Sequence, residues 1–89
     1  MKLKYNFVIS SVAGKTVAVA VGSDSSEFNG IVELNATAEF MFKVLQNKDT
    51  TFDELVLPVK NNYGIDDETA RKAVELFVSA MRKNGLIEE

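Results

Sequence analysis

Residues 34–45 read LNATAEFMFKVL, and here the chain changes its hydrophobic period. Upstream, apolar residues tend to alternate in twos; downstream they recur in threes and fours. Asn35 suits a helix start, because its side-chain oxygen can accept from the free N–H groups of a first turn. Ala38, Met41, Phe42 and Leu45 then fall on one helical face. A strand is therefore expected to end at Leu34 and a helix to begin just after Asn35.

Working back from this junction, Ile31 to Leu34 reads as a short third strand, preceded by the turn signal Asn29-Gly30. Because it follows a long polar segment, it is expected at a sheet edge, where one row of backbone N–H and C=O groups has no partner. Residues Phe7 to Val12 read as the first strand and Thr16 to Val21 as the second, with Gly14-Lys15 supplying the turn of a hairpin. Val17, Val19 and Val21 share one face of the second strand; Ala18 and Ala20 share the other, which is either closely covered or lightly exposed. The polar stretch from Gly22 to Glu27 offers Asp24, Ser26 and Glu27 as oxygen ligands, but the position that should close a calcium loop is Asn35. An ordinary solvated loop is the expectation there.

Forward of the junction, Thr51 and Glu54 have capping-box spacing, so a second helix is expected from about Phe52, with Phe52, Leu55, Val56 and Val59 on its apolar face. Pro58 predicts a kink or break near Leu57, since proline lacks an N–H and crowds the preceding turn. Gly64 closes this segment. Asp66 caps a third helix, Asp67 and Glu68 complement its positive end, and Arg82 and Lys83 its negative end. Ala70, Val74, Phe77 and Met81 form its core stripe, and Asn84-Gly85 stops it, with Leu86-Ile87 folding back on the core. Ala73, Leu76 and Ala80 add a second apolar row on one flank, with Val78 on the other. That width fits either a deeply sunk helix or a flank that lines a partner groove.

The whole is expected to be one α+β domain over 1–89, winged-helix-like, with three antiparallel strands followed by three helices. Composition narrows its chemistry. With no cysteine there is no thiolate or disulfide, and with no histidine the usual neutral-pH base and commonest metal ligand are missing. The serines thus have no imidazole partner, and neither a catalytic residue nor a cofactor or metal is expected. The acidic run Asp66-Asp67-Glu68 is explained by helix capping. A net charge of −3 lacks the basic footprint of nucleic-acid binding, although Arg71, Lys72, Arg82 and Lys83 make a winged-helix DNA regulator the rival reading. No apolar run reaches a membrane span and no h-region follows Met1 to Lys4, so a cytoplasmic location without membrane contact is expected.

Several features together resemble the pyrroloquinoline quinone biosynthesis protein D family, a group of leader-peptide recognition elements. They are Phe28-Asn29-Gly30, Leu34-Asn35, Thr37-Ala38, Met41-Phe42, Tyr63-Gly64, the acidic cap, the row Ala70, Val74, Phe77 and the terminal Gly85-Leu86. The resemblance spans about residues 3 to 88. It implies a non-catalytic adaptor that holds the leader segment of a ribosomally made precursor peptide and presents it to a modifying enzyme, often a radical S-adenosylmethionine enzyme. It further implies that the peptide adds as a strand beside Gly30, Ile31, Val32, Glu33 and Leu34. The third helix then walls the groove, with Arg71, Val74, Leu76 and Val78 as its contributors. Arg71 would meet an acidic leader residue. Pro58 and the row Ala73, Leu76, Ala80 depart from the family pattern, and the row leaves a homodimer surface as a further reading, so a monomer or weak homodimer is expected.

Overall fold

The computed structural model describes residues 1–21 and 31–88. The expected loop from Gly22 to Glu27, the turn at Asn29-Gly30 and the proposed peptide contact at Gly30 lie outside the described residues. In chain order the elements are β1 (Lys2–Leu3), β2 (Phe7–Val12), β3 (Lys15–Ala20), β4 (Ile31–Leu34), α1 (Ala36–Asn47), α2 (Phe52–Tyr63), α3 (Asp67–Lys83) and β5 (Ile87–Glu88). The α+β arrangement of three antiparallel strands followed by three helices is as the hydrophobic periods predict.

Strands β2, β3 and β4 form a sheet in that order, so β4 is an edge among the described residues. The hairpin turn falls one residue earlier than expected. Val12 pairs with Lys15, and Ala13 and Gly14 both take positive φ, 52° and 80°, as a two-residue type I′ turn requires. Pairing then places Phe7, Ile9, Ala18, Ala20, Val32 and Leu34 on one face and Val8, Val19 and Ile31 in a row on the other. The alanine face of β3 is the closely covered one: Ala18 is wholly buried. Small side chains there let the helical layer approach, and Phe7 meets Phe42 edge to face at 5.3 Å.

Each helix starts at the residue its sequence signals. The Asn35 side chain accepts from the Ala38 N–H at 2.8 Å. Thr51 and Glu54 form a reciprocal capping box. Asp66 accepts from the Thr69 N–H at 2.7 Å, and the Thr69 side chain and backbone together hold its carboxyl below the usual range. Gly64 ends α2 in the left-handed region at φ 61°.

Of the kink or break expected near Leu57, the break does not occur; α2 runs through Pro58 from Phe52 to Tyr63. Its capped start and the burial of Leu55, Val56 and Val59 hold the helix on both sides of the missing N–H. Beyond α3, Leu86 is fully buried and its N–H donates to the Met81 carbonyl at 2.9 Å. That fold-back brings Ile87–Glu88 against Lys2–Leu3 as a small second sheet. The pairing was not foreseen, because two-residue strands carry no readable period. Core side chains from β2, β3, β4, all three helices and Leu86 join in one cluster.

Candidate functional site

Beside the exposed edge of β4 lies a groove of about 410 Å³, lined by Glu33 and Leu34 of β4, Asn35 at the α1 cap, Thr37, Ala38 and Met41 of α1, and Ala73, Leu76, Phe77, Ala80 and Met81 of α3. The junction read first in the sequence therefore supplies one wall. Leu34 ends the strand, Asn35 caps the helix, and Thr37, Ala38 and Met41 of α1 line the trough. The opposite wall is the second apolar row of α3. Ala73 and Ala80 are small, and Leu76, between them, exposes 74% of its surface. An apolar trough along a strand edge that has no partner among the described residues is suited to an extended peptide: backbone groups bind without regard to sequence, and the trough takes alternate side chains.

The sequence-proposed residues separate in the structure. Glu33, Leu34 and Leu76 come together in the groove. Ile31 and Val32 continue the same edge, Ile31 pointing outward and 64% exposed, Val32 packing on the core side. Val74 and Val78 are buried in the core, at 0% and 2% exposure, so neither offers its side chain to the groove. Arg71 turns the other way. It donates to Asp67 on its own helix at 2.8 Å and to Asp53 on α2 at 3.0 Å, which raises its already high pKa, Asp67 first. Helical spacing explains the split: Arg71 and Val78 fall on the α2 flank, whereas Ala73, Leu76 and Ala80 fall on the β4 flank. Arg71 thus stitches two helices and does not reach the groove wall.

Sequence reading missed the α1 contribution. Ala38 and Met41 read as plain core positions, and their stripe does continue into the core; its N-terminal part, as far as Met41, also borders the groove. The signal available was the Thr37-Ala38 pair, which gives small or short side chains at this lip. Glu33 carries the charge nearest the trough. Lys15 on β3 lies 3.6 Å from it, and both side chains are largely exposed.

A second depression of similar volume lies between β1, β2 and the end of α1. Its lining is mostly polar, and the Gln46 amide donates to the Phe7 carbonyl there at 3.0 Å, so it borders a structural tie. β2 is the other edge of the three-stranded sheet, but where it borders this depression its Phe7 carbonyl is already taken by Gln46. Among the described residues no group of three acidic side chains is placed to hold a metal ion.

An edge strand, an apolar helical wall and a capped junction between them define a small winged-helix-like α+β domain with an apolar trough beside its edge strand. The model of the coenzyme PQQ synthesis protein D (PqqD) family matches residues 12–87, and the chain belongs to that family. Its fold is similar to that of a solved structure, TbiB1 in complex with the TbiA(beta) leader peptide, with a TM-score of 0.72 and 18% sequence identity. The match covers 99% of this chain and 95% of the other. No curated protein matches.

Proposed function

We propose that this chain is a non-catalytic adaptor that binds the leader segment of a ribosomally made precursor peptide and presents it to a peptide-modifying enzyme, of the radical S-adenosylmethionine class. The observation that carries this reading is the edge of β4, unpaired among the described residues and running beside the apolar trough. Family membership supports it, as does a neighbour of the same fold described in complex with a leader peptide. The leader adds as a further strand beside Ile31 to Leu34 and rests its inward side chains between Ala38, Ala73, Leu76 and Ala80.

The work of such an adaptor is positional. Holding the leader raises the local concentration of the attached core peptide at the enzyme, and the adaptor needs no acid, base or nucleophile of its own. The setting is cytoplasmic; no helix among the described residues is long and apolar enough to cross a membrane. The DNA-binding rival is disfavoured by the engagement of Arg71 and Lys72 with acids on the same or the adjacent helix.

The test is an NMR titration of the labelled chain with synthetic peptides taken from the short open reading frames that flank its gene. Amide shifts concentrated at Ile31 to Leu34 and on the Ala73–Ala80 flank are expected. A peptide that binds and leaves those amides unmoved would sink the proposed site.

A further inference from the structure

The edge that takes the leader also has a charge and shape pattern of its own. Along β4 the side chains alternate: Ile31 and Glu33 point away from the core, and Val32 and Leu34 point toward it. A strand added beside β4 keeps this alternation, so each of its residues lies directly opposite one β4 residue and shares that residue's face. Ile31 ends the apolar row Val8, Val19, Ile31, which runs across the outer face and is left open at the edge. Glu33, two residues on, presents a carboxylate on that same face. Its cation, Lys15, belongs to β3 and so lies on the side of Glu33 away from the open edge, at 3.6 Å. Leu34 turns inward to the trough, where Ala38, Ala73 and Ala80 leave room for a large apolar side chain.

Resting on the adaptor reading, we propose that this edge selects its leader by a charge register: a lysine or arginine directly opposite Glu33, flanked by one apolar residue opposite Leu34 and another opposite Ile31. The pattern holds for either direction of the added strand, because the order of faces along β4 does not change. An acidic residue opposite Glu33 meets a like charge and is disfavoured. The net charge of −3 acts in the same sense at longer range, drawing cationic segments toward the domain. The ligand class is therefore a cationic amphipathic segment in extended form.

The experiment selects a displayed library of random peptides against the whole chain and against its Glu33→Lys and Glu33→Gln variants. Glu33 is exposed, and circular dichroism checks that each variant is folded. With the native chain, enriched peptides should carry Lys or Arg next to one apolar position and two residues from another. With Glu33→Lys that position should change to Asp or Glu, the apolar positions staying as they were, and with Glu33→Gln it should lose its charge preference. Synthetic peptides differing only there should differ in Kd by about threefold to fivefold, in opposite senses for the native chain and Glu33→Lys. Peptides that shift the Ile31–Leu34 amides but show no charge preference following residue 33 overturn the register and leave the adaptor reading standing. If folded protein enriches no peptide, or only peptides that bind away from β4, the adaptor reading falls and the register with it.

Discussion

Leu76 shows how one side chain separates binding from folding. It stands 74% exposed at the lip of the trough, so it contributes little to the core. Leu76→Glu is expected to change unfolding free energy by no more than about 0.5 kcal/mol. It should nonetheless weaken leader binding by about tenfold or more, because a carboxylate there must be desolvated when the trough closes. Paired urea melts and binding titrations check this, and a large stability loss with unchanged affinity would contradict the placement. Arg71 predicts the reverse. Arg71→Ala removes two ion pairs that join α3 to itself and to α2. The melting temperature should fall slightly at low salt, with the loss disappearing at high salt, while leader affinity is retained. The sequence placed both residues on one functional wall, since each is a non-core position of the same helix. The angle between them became decisive only once α2 and β4 had taken opposite sides of α3.

At the scale of elements, Pro58 is the departure from local rules. It occupies the interior of α2, where it leaves the Glu54 carbonyl without its usual N–H partner. Packing of Leu55, Val56 and Val59 offsets that defect. Pro58→Ala should therefore stabilise the chain by about 1–3 kcal/mol, read as a higher denaturation midpoint. No gain would mean that the helix is relaxed around the proline already. The caps show the opposite case, agreement between sequence and structure. Asn35, Thr51 and Asp66 each satisfy a backbone donor in the first turn of the helix they open. Such contacts span three residues, which is why spacing alone reveals them. The β1–β5 pair joins the two ends of the described chain and had no local signature.

For the whole molecule, carboxylates whose pKa is lowered by a cap or an ion pair contribute to the pH response. The Thr51 backbone N–H, then its side chain, lowers the Glu54 pKa; Lys43 lowers that of Glu39; Thr69 lowers that of Asp66. Each folded-state pKa thus lies below its unfolded value, and the unfolded chain binds more protons as pH falls. The stabilisation is fully present above the ordinary carboxylate range, about pH 4–4.5, and is lost on descending through the folded-state values. With no histidine to titrate, urea midpoints should be level from about pH 7 to about pH 5 and decline below about pH 4. A decline centred near pH 6 would point to a coupling the carboxylates do not explain.

The sequence by itself determined the order and kind of the main elements, because capping chemistry and hydrophobic period act over one turn of helix or one pleat of strand. The change of period at Leu34-Asn35 marked the place where sheet gives way to helix and where the trough begins. It also carried enough of the family pattern in Leu34-Asn35 and Thr37-Ala38 for the resemblance to be seen. Only the tertiary structure decided which flank of α3 faces the edge strand, that Val78 is spent in the core, and that the alanines of β3 lie under the helices. Those outcomes depend on how helices and sheet rotate against one another, and that rotation is settled by the joint packing of distant side chains such as Phe7 on Phe42.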